Sequence, residues 1–123
     1  MISVIVNREN SRICAIYANG HAGYDDPGRD IICSAVSTLL FTAASALEDI
    51  CGYDSESFFR ISGEDTEDVN LRITVPDTRD DETSNRAQVI MRTVELGLIG
   101  IARDYNDSKN KYVEIINSRT PEV

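Results

Sequence analysis

A chain of 123 residues has room for one compact domain, expected over residues 1–123, with a core able to stand without disulfides. Apolar residues are 41% and charged residues 27%, which excludes a disordered or collagen-like polypeptide. Twenty-one acidic against twelve basic side chains give a formal charge of −9, which repels nucleic-acid phosphates and favours basic protein partners.

Ile2, Val4 and Val6 alternate with Ser3, Ile5 and Asn7, the two-residue period of a strand. The opening residues lack a basic leader region and a long apolar run, so no targeting peptide is expected. Polar residues 7–11 read as a turn, and residues 13–18 as the returning strand of a hairpin. Residues 20–30 hold three glycines and a proline and cannot be regular structure. Asp30 is a good N-cap for a helix that starts at Ile31, runs to about Ile50 and ends before Gly52. Residues 31–47 carry no charge, but five hydroxyls make them a poor membrane span, so a buried helix and no membrane partner are expected. Ser34, Thr38, Thr42 and Ser45 form a stripe of small hydroxyls that permits close approach by a sheet or by a second copy of the chain.

Residues 58–62 and 69–75 predict a second hairpin around Gly63, Glu64 and Asp65, with Val69, Leu71, Ile73 and Val75 on its buried face. The acidic run 77–82 opens a second long helix. Ala87, Ile90, Met91, Val94, Leu98, Ile101 and Ala102 share its inner face, with Gln88, Arg92, Glu95 and Arg103 outside. Gly97 and Gly100 each weaken that helix by roughly 1 kcal/mol relative to alanine and are expected to mark close contacts. Residues 112–116 predict a last strand, followed by a frayed tail over 118–123. The order ββαββαβ describes a two-layer α+β domain, two helices packed on one face of a mostly antiparallel sheet.

The only histidine, His21, stands in the glycine-rich loop twelve residues before Cys33. With Asp30 as N-cap, Cys33 occupies the first helical turn, where the partial positive charge of a helix N-terminus favours the thiolate. Unpaired N–H groups of that turn could donate to an oxyanion formed when a thiolate attacks a peptide carbonyl, with His21 as general base. A twelve-residue connection can bring the two side chains together or hold them about 40 Å apart, and a histidine among glycines serves a turn as readily as a reaction. Gly20, Gly23 and Gly28 allow the loop to close over the site. Asp30 caps the helix or orients His21, and a carboxylate so close to Cys33 opposes its ionisation. Ser37, one turn along the same face, either supports the site or packs.

Cys51 lies five helical turns from Cys33, a displacement of about 27 Å, and Cys14 reads as a small core residue. An odd cysteine count without a CxxC pair points to a reducing cytoplasm, and the single histidine lacks metal-ligand spacing, so neither metal nor cofactor is expected.

The run Gly20-His21-Ala22-Gly23-Tyr24, followed by Gly28-Arg29-Asp30-Ile31-Ile32-Cys33-Ser34-Ala35-Val36-Ser37, resembles the signature of the bacterial ribosomal-processing cysteine protease family, Prp. Length and element order agree over essentially the whole chain. The resemblance implies a cytosolic homodimer that removes a short N-terminal extension from a large-subunit ribosomal protein, cutting after an aromatic residue. It implies Cys33 as nucleophile and His21 as base, on a loop that stays mobile until substrate binds. Ser34 stands where the family often has alanine, and Asp25-Asp26-Pro27 departs from the common loop wording. A non-catalytic dimeric module that binds a ribosomal protein is the alternative, and a thiol redox sensor is a third reading.

Overall fold

A computed structural model of the chain describes residues 1–26, 29–62, 69–77 and 80–119. Strands β1 (Ile2–Glu9) and β2 (Arg12–Gly20) form the expected hairpin, with Ile2, Val4 and Val6 fully buried. The turn is shorter than the expected 7–11. Only Asn10 and Ser11 lie outside the strands, both at positive φ (50° and 67°), a twist that matches the flanking strands. The pairing shifts between Asn7, opposite Ala15, and Arg8, opposite Ile13, which leaves Cys14 as the extra residue of a bulge. Cys14 is therefore half-buried beside Glu9 and is not the core residue expected.

Helix α1 (Ile31–Cys51) begins at the Asp30 cap and ends at Gly52, whose φ of 73° is left-handed. It is long and apolar enough to cross a membrane by length and composition alone. Its buried residues Ile32, Val36, Leu40, Ala43, Ala44 and Leu47 make one face, and within the single chain the opposite face is exposed. Ser34, Thr38, Thr42 and Ser45 are exposed in the single chain, so the sheet does not cover this stripe. A four-residue helix absent from the sequence reading, α2 (Ser55–Phe58), then leads into β3 (Phe59–Ile61) and β4 (Val69–Thr74). These two strands pair antiparallel, and the proposed turn at Gly63, Glu64 and Asp65 lies outside the described residues.

Helix α3 (Asp81–Tyr105) is capped by Asp80, and β5 (Val113–Arg119) runs parallel to β1. Ser118 and Arg119 thus belong to a strand, not to the frayed tail expected. The sheet order is β3-β4-β2-β1-β5, four strands antiparallel in sequence of pairing and one parallel edge, with the long helices on one face. A Cβ on Gly97 would stand 3.0 Å from the Leu39 side chain, so this glycine does mark the close α1–α3 contact. A Cβ on Gly100 would stand 3.6 Å from Arg103 Nη2 of the same helix.

Glu95 was expected on the outer face and is instead 2% exposed. Arg8 Nη2 and Arg92 Nη1 each donate to its Oε1 at 2.5 Å, and Arg8 Nη1 donates to Asn117, tying α3 to β1 and β5. Burial opposes the Glu95 charge, but the bonds and charges of both arginines outweigh it and hold the carboxyl below the ordinary glutamate range. A carboxyl depressed by folding stabilises above its unfolded pKa, and that contribution is lost as pH falls through the folded one. Glu95→Gln is expected to destabilise the domain at neutral pH by about 2 kcal/mol, less than for a fully sequestered pair because Arg8 keeps some solvent. Urea melts over a pH series should show the difference from the parent shrinking in acid.

Candidate active site

The first turn of α1 and the end of β2 meet at Cys33. β2 delivers the chain to Gly20, where φ is 107° and an added Cβ would stand 2.5 Å from the Met1 carbonyl oxygen. No side chain fits there, so the strand leaves the sheet at a glycine. His21 follows, exposed, with Cε1 3.9 Å from where a Gly23 Cβ would be. Ala22 is buried, and its N–H donates to Cys33 Sγ at 3.2 Å. Gly23 takes a left-handed φ of 68° and turns the chain so that the Tyr24 N–H donates to Asp30 Oδ2 at 3.0 Å.

Asp30 is the cap expected, and its other oxygen is fully used. Oδ1 accepts from the N–H groups of Ile32 and Cys33, each at 3.0 Å. Burial works against its charge, yet the N–H groups of Cys33, Tyr24 and Ile32 and the Cys33 thiol keep the carboxyl below the ordinary aspartate range. Two first-turn N–H groups expected to serve an oxyanion are therefore already bound to Asp30. Among the described residues no hydrogen bond joins Asp30 to His21, or His21 to Cys33.

The thiol itself departs from the expectation of a helix-stabilised thiolate. Burial raises the Cys33 pKa above the ordinary cysteine range, and the Asp30 charge and hydrogen bond push the same way against the Ala22 N–H, which lowers it. In this conformation burial, with the Asp30 carboxylate adding to it, favours the neutral thiol of Cys33. Asp30→Asn retains a good cap and removes that charge. Alkylation of Cys33 at neutral pH should speed up severalfold in this variant, measured by mass spectrometry of the modified peptide.

Ser37 is half-buried one turn beyond Cys33, and among the described residues no hydrogen bond links the two. Gly28 lies outside the described residues. Cys51 stands at the far end of α1, where its Sγ approaches the Thr83 carbonyl oxygen at 3.9 Å, so the expected separation from Cys33 is observed. Burial raises the thiols of Cys14 and Cys51 as well. Among the described residues no group of three or more His, Cys, Asp or Glu could hold a metal ion. The Ala22 N–H and a cluster of Tyr24, Tyr105 and Tyr112 rings beside the loop escaped the sequence reading. Only Tyr24 sat inside the quoted motif; the other two flank a polar turn about 80 residues later and carry no local signal.

Residues 1–110 match the family model described as cysteine protease Prp. The ribosomal processing cysteine protease Prp of Bacillus subtilis is 28% identical over 117 residues, 94% of this chain and 100% of that protein. The protein of the same name from Staphylococcus aureus is 30% identical over 107 residues, 87% of this chain and 92% of its own length. Among solved structures, SMU.848 from Streptococcus mutans superposes with a TM-score of 0.74 at 21% identity, over 98% of this chain and 96% of that one. An essential ribosomal processing protease Prp from S. aureus, in complex with a substrate peptide, gives a TM-score of 0.70 at 24% identity over 96% and 100%. At these identities the two structures establish the fold.

Proposed function

This chain belongs to the cysteine protease Prp family, and from that membership we propose that it is an endopeptidase acting through Cys33 and His21. Its substrate is the N-terminal extension of a large-subunit ribosomal protein, held as an extended peptide. The observation that carries the reading is the Ala22 N–H bond to Cys33 Sγ, which puts the residue after His21 directly on the sulfur at the first turn of α1. The S. aureus relative, crystallised with a substrate peptide, supports a peptide as the ligand of this fold.

Peptide binding brings the exposed His21 ring to the sulfur, and the imidazole takes the thiol proton as Sγ bonds to the scissile carbonyl carbon. His21 then protonates the leaving amine as the C–N bond breaks, leaving a thioester on Cys33. A water deprotonated by His21 attacks that thioester, and its collapse releases the acid product and restores the thiol. Asp30 keeps the first turn in place through Oδ1, the more direct of its two candidate roles given where its oxygens point. We extend to this chain the cytoplasmic homodimer that the family resemblance implies, which light scattering of the purified protein tests as twice the mass of one chain.

Incubation with a synthetic peptide covering the extension and first mature residues of the same organism's ribosomal protein should yield two fragments by mass spectrometry. Prior alkylation should prevent it. The rival binding module predicts tight association with that peptide and no cleavage.

A further inference from the structure

Three tyrosine rings meet edge to face at the segment that follows β2, with Tyr24 in contact with both others. Tyr24 lies 5.2 Å from Tyr112, centroid to centroid, at an interplanar angle of 75°, and 5.9 Å from Tyr105 at 89°. Tyr105 is the last residue of α3, and Tyr112 immediately precedes β5. The intervening turn is built rigidly around Asn106, whose Oδ1 accepts from the Tyr112 N–H at 2.8 Å and whose Nδ2 donates to the Val113 carbonyl. The Asn106 N–H closes on Ala102. Two rings thus stand on fixed elements of the helix layer and the sheet, while the third belongs to the irregular segment between β2 and α1. From Tyr24 the contacts continue through its N–H to Asp30 and through Ala22 to the Cys33 sulfur.

We propose that Tyr105 and Tyr112 are positioning residues that, by clasping the Tyr24 ring, hold residues 21–24 against Cys33 and so govern access to its sulfur. This rests on Cys33 being the nucleophile of the site, but the clasp is read without any turnover. The contact is made by ring faces and edges, so the ring is what the clasp requires and the phenol oxygen is dispensable.

The test is the rate at which iodoacetamide modifies Cys33 in the full chain from neutral to alkaline pH, with Cys14 and Cys51 of the same molecule as internal references. Tyr105→Ala and Tyr112→Ala should speed Cys33 alkylation by roughly three- to tenfold, the shift that loss of one such ring contact produces, and leave the references unchanged. Tyr105→Phe and Tyr112→Phe should react at the parent rate. Unchanged Cys33 rates in the alanine variants overturn the proposal. So do equal increases at all three cysteines, which mean general loosening, or phenylalanine variants as fast as the alanine ones. A chain that leaves the ribosomal peptide uncut yet shows the selective increase loses the proposed activity and keeps the clasp.

Discussion

Cys33→Ala is expected to abolish peptide cleavage, a fall in kcat of at least about 10⁴-fold, because without the sulfur no acyl intermediate forms and only substrate positioning remains. The fold should survive. The Cys33 N–H that bonds Asp30 Oδ1 belongs to the backbone and persists in alanine, so the cap of α1 is intact. What is lost is the Ala22 N–H contact to a half-buried sulfur, worth about 1 kcal/mol. Cleavage followed by mass spectrometry and a thermal melt on the same sample check both halves. Cleavage at the parent rate would remove Cys33 from the mechanism.

His21→Ala comes second, with an expected loss in kcat of roughly 10²–10⁴-fold. The size follows from the state of the thiol. A sulfur already ionised by its helix would lose little when its base is removed, but burial and, less strongly, the Asp30 carboxylate raise the Cys33 pKa. At neutral pH it needs a partner to take its proton, and the leaving amine needs the same proton back. The ring is exposed, so the substitution should leave stability and substrate KM near the parent values. Cys33 should still be alkylated by iodoacetamide in this variant, most readily in alkali. A His21→Ala protein that cleaves normally would assign the base elsewhere.

The legible parts of this chain are those whose physics is local. Alternation of Ile2, Val4 and Val6, the Asp30 cap and the Gly52 stop each depend on a few neighbouring residues, and each stands where the sequence places it. Glu95 was misplaced although its spacing carried the signal, four residues after Met91 and three before Leu98, both buried. Charge was taken as exposure, whereas Arg8 and Arg92 neutralise it in the interior. Cys14 was misread because a bulge resets the strand period, and no residue pattern announced it. The short α2 turn was likewise invisible, four residues being too few to show a helical period.

By its order of residues alone, the chain determined a two-layer α+β domain, the cap that starts α1 and the presence of one histidine and one first-turn cysteine at compatible spacing. These follow from periodicity and capping, which act within a turn or a strand. Folding decided that the Ala22 N–H reaches the Cys33 sulfur, that the Tyr24 N–H reaches Asp30, and that the sulfur is buried enough to raise its pKa. The opposing Asp30 charge was legible three residues away, but burial of the sulfur and the Ala22 contact depend on how the loop folds back over α1, which no local pattern encodes.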